Sequence, residues 1–82
     1  MQITVRYFAG AAQAAATTSE SVEISPGTTL EQLLAQLSQR SDELARVLAA
    51  SSYLINSRPA TDRSSVLADG INLDVLPPFA GG

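Results

Sequence analysis

Cysteine, histidine, lysine and tryptophan are all absent from the chain. Without cysteine there is no disulfide and no thiolate nucleophile, and without histidine the commonest general base is missing. Losing both also removes the usual ligands of zinc, copper and iron–sulfur centres, so metal-centred and catalytic-triad chemistry are disfavoured. The lack of lysine leaves no ε-amine on which a second copy of the chain can form an isopeptide. Positive charge rests on five arginines, Arg6, Arg40, Arg46, Arg58 and Arg63, scattered along the sequence and outnumbered by acids to a net −3. Displacing the counterions of a nucleic acid takes a concentrated basic face, and no segment supplies one, so no nucleic-acid partner is expected. Long apolar runs are missing too. Nothing approaches the roughly 18 consecutive residues of a membrane span, and Met1–Arg6 alternates instead of reading as a signal peptide. A soluble, cytoplasmic protein with no membrane partner is expected, with which the absence of cysteine agrees.

With 82 residues the chain is one domain. A fold this small buries only about 60–65% of the surface of its unfolded chain, which argues against a deep active-site pocket. Ile3, Val5 and Tyr7 alternate with Gln2, Thr4 and Arg6, the period of a strand with one face on a core. Phe8 falls on the opposite face, either covered by another element or exposed for a partner. Gly10–Ser19, rich in Ala, Thr and Ser, reads as a loop with one helical turn. Ser21–Ser25 alternates again, with Val22 and Ile24 inward, as a hairpin partner of the first strand.

Pro26-Gly27 ends that strand. Thr28-Thr29-Leu30-Glu31 then reads as a capping box between Thr28 and Glu31. Leu30, Leu33, Leu34 and Leu37 recur at helical spacing, the stripe of a helix lying across a sheet, and each leucine fully buried contributes roughly 1.5–3 kcal/mol. A second, shorter helix follows Ser41-Asp42, with Leu44, Val47 and Leu48 on one side. Tyr53–Asn56 reads as a buried third strand before a turn at Ser57-Arg58-Pro59, and Thr61–Ser65 as surface loop. After an Asp69-Gly70 turn, Ile71, Leu73 and Val75 alternate in a last strand. Pro77-Pro78 stops it, because proline cannot donate to a ladder. The expectation is an α+β fold in which the long connection through the helix permits parallel pairing of the first and last strands. Asp62, Asp69 and Asp74 read as surface and turn residues.

Five segments together resemble the MoaD/ThiS family of ubiquitin-like sulfur carriers. They are the opening Ile-Thr-Val-Arg-Tyr-Phe-Ala, the Thr-Thr-Leu-Glu-Gln-Leu-Leu helix, Leu-Ile-Asn-Ser, Leu-Ala-Asp-Gly, and the closing Pro-Pro-Phe-Ala-Gly-Gly. The resemblance covers the whole chain, and the Pro-Pro spacing before Gly-Gly is nearer to the molybdopterin branch than to the thiamin branch. The family often carries an Arg a few residues after the Phe-Ala, and then a Gly, where this chain has Ala12 to Ala16. The resemblance implies a β-grasp with a mixed sheet of four to five strands and one main helix across it. Residues 1–76 would form the domain and 77–82 an extended tail.

What the resemblance implies for function follows from the tail. An adenylating enzyme (MoeB-like), using ATP and Mg that this chain does not itself bind, would activate the Gly82 carboxylate. A sulfur donor such as a cysteine desulfurase or rhodanese would convert it to a thiocarboxylate. The large subunit of molybdopterin synthase (MoaE-like) would spend that sulfur on the molybdopterin dithiolene. The chain would be a non-catalytic carrier with no reacting group beyond Gly82. Gly81 and Gly82 lack the Cβ atoms that would bar a narrow cleft, Pro77 and Pro78 stiffen the exit, and Phe79, followed by Ala80, offers an apolar anchor. Phe8, Leu76 and Phe79 are candidates for a docking patch or for ordinary core. Arg6 and Arg58 are either solvated charges or anchors around that patch. Sulfur delivery to thiamin, cysteine or tRNA thiolation, and conjugation of the tail to a partner's lysine, remain open alternatives.

Overall fold

The computed structural model describes residues 1–78, so Phe79, Ala80, Gly81 and Gly82 lie outside the described residues. Strand β1 (Gln2–Tyr7) buries Ile3, Val5 and Tyr7 as its alternation requires. It is followed by α1 (Gly10–Ala15), β2 (Ser19–Glu23), α2 (Leu30–Ser38), α3 (Asp42–Ala50), β3 (Ser52–Ile55), β4 (Arg58–Pro59) and β5 (Asn72–Leu76). The strands form one mixed sheet in the order β2-β1-β5-β3-β4. Strand β5 runs parallel to β1 and antiparallel to β3, so the last strand is the middle one, hydrogen-bonded on both sides.

Helix α2 buries Leu30, Leu33, Leu34 and Leu37, the predicted stripe. These leucines join Ile3, Val5, Tyr7, Leu73 and Val75 of the sheet in one core. Helix α3 starts at the Ser41 cap, whose hydroxyl accepts from the Leu44 N–H at 3.0 Å, and buries Leu44 and Leu48. Both helices have nine residues, so α3 is not the shorter one.

Three further local expectations are corrected. The capping box sits one residue later than expected. Thr29 Oγ1 accepts from the Gln32 N–H at 3.2 Å and Gln32 Oε1 accepts from the Thr29 N–H at 3.0 Å. Thr28 instead donates its hydroxyl to the Ser25 carbonyl, closing the Pro26-Gly27 turn. The Glu31 N–H is taken by the Arg63 carbonyl and the Leu30 N–H by the Ser65 carbonyl, so the loop after β4 is tied to the start of α2. In the alanine-rich segment a six-residue helix forms, buries Ala11 completely and closes through a left-handed Ala16 (φ 61°). With few large side chains it shows no stripe in the sequence and is held by packing.

The third correction concerns Arg58-Pro59, which is a fifth strand and not part of the turn. Asn56 (φ 49°) and Ser57 (φ 68°) are both left-handed, the backbone of a two-residue hairpin loop between β3 and β4. Among the described residues no helix is long and apolar enough to cross a membrane.

Candidate functional site: the open sheet face and the root of the tail

The helices cover one face of the sheet, and strand parity fixes what the other face carries. Opposed residues share a face, so the pairs Arg6–Ser19, Arg6–Asp74, Leu54–Asp74 and Leu54–Pro59 place one row across all five strands. Ser52 and Leu76 form the next row toward the tail. Phe8 follows the end of β1, its N–H on the Val75 carbonyl at 3.2 Å, and is 41% exposed. Leu76 is half-buried, Pro77 buried and Pro78 exposed. The tail therefore leaves the sheet from its central strand, beside Phe8 and Leu76. The buried Pro77 forms its root.

The open face holds a residue that the sequence does not reveal. Asp74, read from sequence as a surface residue, is only 4% exposed. Its carboxylate is clasped side-on by Arg6, whose Nε–H donates to Oδ1 at 2.6 Å and Nη2–H to Oδ2 at 2.8 Å. The parallel register of β1 and β5 makes them direct neighbours, which no local pattern reveals because 67 residues separate them in the chain. A buried carboxylate is costly unless paired, and here the pairing is bidentate. The hydrogen bonds that Arg6 donates to Asp74 in turn raise the Arg6 pKa above its already high ordinary value. The Arg6 guanidinium carbon also lies 5.8 Å from the Phe8 ring centroid, within cation–π range.

Of the sequence candidates, Arg6, Phe8 and Leu76 are brought together on or beside this face, and Pro77 and Pro78 follow Leu76 at the end of β5. Arg58 is not with them. It pairs with Ile55, and Ile55 with Leu73, which gives it the parity of the helix-covered face, at the sheet edge. Phe79, Ala80, Gly81 and Gly82 lie outside the described residues.

The other polar clusters are braces. Glu20 accepts from the Tyr7 hydroxyl at 2.8 Å and from Arg40 at 2.6 Å, tying β1 and β2 to the end of α2. The Arg40 hydrogen bond holds the Glu20 carboxyl below the usual carboxylate range, while burial, then Glu20, pushes the Tyr7 phenol up. Tyr53 donates its hydroxyl to the Leu48 carbonyl, and burial raises its pKa to about 12. Asp62 accepts from Ser64 in the loop, and Asp69 accepts from the Gln2 N–H. Among the described residues no three acidic, His or Cys side chains gather to hold a metal ion.

Four similarities to known proteins stand beside this geometry. The model of the ThiS family matches residues 5–82. A molybdopterin synthase sulfur carrier subunit from Chlamydomonas reinhardtii is 30% identical over 83 residues, 100% of both chains. Two solved structures share the fold. The small archaeal modifier protein 1 of Haloferax volcanii is 23% identical, with a TM-score of 0.85 over 100% of both chains. A complex of subunits 1 and 2 of the molybdopterin-converting factor from Helicobacter pylori includes a chain 24% identical, with a TM-score of 0.73 over 100% of both chains. The fold is the ubiquitin-like β-grasp. The chain belongs to the ThiS family, as a sulfur carrier of the MoaD type.

Proposed function

We propose that the chain is the sulfur-carrying small subunit of a molybdopterin synthase and that the carried sulfur sits on Gly82. The observation that carries this reading is the full-length relationship to the Chlamydomonas molybdopterin synthase carrier, with a family match that runs through Gly82. The geometry supports it. Strand β5 is central in the sheet and is followed by a buried Pro77, which gives a partner a fixed point just ahead of the sequence that ends in two glycines lacking Cβ atoms. With no Cys, His or Lys in the chain, the terminal carboxylate is the group best suited to activation.

A carboxylate resists nucleophiles because of its charge and resonance. In the partner adenylating enzyme, with ATP and Mg bound there, the Gly82 carboxylate displaces pyrophosphate and becomes an acyl-adenylate. The terminal sulfur of a donor persulfide then displaces AMP, and a thiol cleaves the S–S bond, leaving a thiocarboxylate on Gly82 and a disulfide on the donor side. In the large synthase subunit that sulfur, ionised near neutrality, attacks an electrophilic carbon of the pterin precursor and displaces the oxygen substituent that carbon bears. Water then hydrolyses the acyl–sulfur bond, leaving sulfur on the acceptor and restoring the carboxylate. The carrier supplies the group and its partners supply the catalysis. The Helicobacter complex of subunits 1 and 2 supports a large-subunit partner of this kind.

The test is delivery. Loaded chain mixed with a molybdopterin synthase large subunit and the pterin precursor should form the dithiolene; formation only of the thiazole, with a thiazole synthase in its place, would overturn the pathway. The likeness to the small archaeal modifier protein favours a second reading, in which the adenylated tail is joined to a partner's lysine. Recovery from cells of Gly82 in an isopeptide bond is the result that reading requires.

A further inference from the structure

We propose that the Arg6–Asp74 pair is a fixed hydrogen-bonding station on the docking face. Arg6 offers its remaining N–H groups to main-chain carbonyls of the large synthase subunit, and Asp74 is the positioning residue that holds it there. This rests on the carrier reading above: a protein that takes the tail meets the end of β5, and Asp74 lies two residues before Leu76 on the same face of that strand.

Four observations support the proposal. Arg6 is the only cationic side chain that the described strands place on the open face, in the strand next to β5. Its side chain is 47% exposed although its carboxylate partner is buried, so the pair is open on the guanidinium side only. A guanidinium has five N–H donors. Asp74 takes the Nε–H and one Nη2–H, leaving both Nη1 hydrogens and the second on Nη2, which have no acceptor among the described residues. Finally, apolar Phe8, Leu54 and Leu76 flank the pair, so a partner seated there excludes water from it.

The kind of acceptor follows from the charge balance. Asp74 already neutralises Arg6, so what the station presents is a directional donor edge more than a free positive charge. A second carboxylate on the same guanidinium would stand close to Asp74 and be repelled by it. Neutral carbonyl oxygens carry no such penalty, and an extended partner segment laid across β5 would present them at regular spacing. The bidentate clasp also fixes the guanidinium before binding, so little side-chain freedom is lost on docking.

The experiment is calorimetric titration of the full chain with the large subunit of molybdopterin synthase, at low and high salt, well below the melting temperature of every variant used. Replacing the pair by Arg6→Leu/Asp74→Leu removes both charges together, a change that folds tolerate. The affinity should fall at least about tenfold, by a similar factor at both salt concentrations. Asp74→Asn, which keeps Arg6 but loosens its clasp, should lose a smaller factor. Should the leucine pair fail to fold, Arg6→Gln/Asp74→Asn takes its place with the same expectation. Undiminished affinity in the double variant overturns the proposal while leaving the carrier reading intact. A loss that disappears at high salt overturns the carbonyl assignment in favour of a partner carboxylate. An unaltered chain that does not bind the large subunit overturns this proposal and the pathway together.

Discussion

Thr29 and Gln32 cap helix α2 reciprocally, each side chain accepting the other's backbone N–H. The first turn of the main helix is thereby closed without help from the acidic residue between them. An N-cap threonine replaced by alanine typically costs about 0.5–2 kcal/mol. Thr29→Ala should lower the stability measured by urea unfolding within that range, and Thr28→Ala by clearly less, because Thr28 only donates to an exposed turn carbonyl. Equal losses would place the cap elsewhere.

Two braces set opposite limits on the pH range of the fold. Arg40 holds the Glu20 carboxyl below its ordinary pKa, so the stabilisation is complete above the unfolded value of about 4.3 and is lost as pH falls through the folded one. Tyr53 has a folded pKa raised to about 12, so its contribution is complete below the unfolded value near 10 and is lost as pH rises through 12. Tyr7, also shifted up, adds to the alkaline side. Melting temperatures across pH should therefore fall at both ends. Glu20→Gln should approach the unaltered chain as pH falls from about 4 through the lowered Glu20 pKa, and Tyr53→Phe should lose less stability than the unaltered chain above about pH 10.

Ser57 holds a left-handed backbone (φ 68°) as the second residue of the β3–β4 loop, after a left-handed Asn56. A side chain there carries a cost that glycine avoids, and Asn-Gly is the preferred pair for such a loop. Ser57→Gly should raise stability by up to about 1 kcal/mol, net of the extra freedom glycine gives the unfolded chain, read as a higher denaturation midpoint. A loss would mean that the loop takes another form.

These positions also mark what the sequence discloses. Strong periodicity was legible: the leucines of α2, the alternation of β1 and β5, and the Asp69-Gly70 turn, where Gly70 has φ 80°. The capping box slipped by one because Thr28-Thr29 offers two caps and Glu31 and Gln32 two partners; only the turn contact of Thr28 decides between them. Helix α1 reads from sequence as no more than one helical turn because alanine carries no amphipathic signature. Strand β4 escaped notice because two residues make no period and proline suggests a turn. That Phe8 lies on the face opposite Ile3, Val5 and Tyr7 was legible from parity. The Arg6–Asp74 clasp was not, since it depends on the register of two strands from opposite ends of the chain. A lone Asp between Leu73 and Val75 looks like any solvated strand residue.

The central claim is that Gly82 is the atom-bearing end of a sulfur carrier, and tandem mass spectrometry of the intact chain tests it most directly. After incubation with an adenylating partner, ATP and a sulfur donor carrying isotopically labelled sulfur, the chain should gain one labelled sulfur in place of one oxygen. Fragmentation should localise it to Gly82, and the chain lacking Gly82 should gain none. A chain whose mass does not change, or that carries the label anywhere but Gly82, would contradict the account.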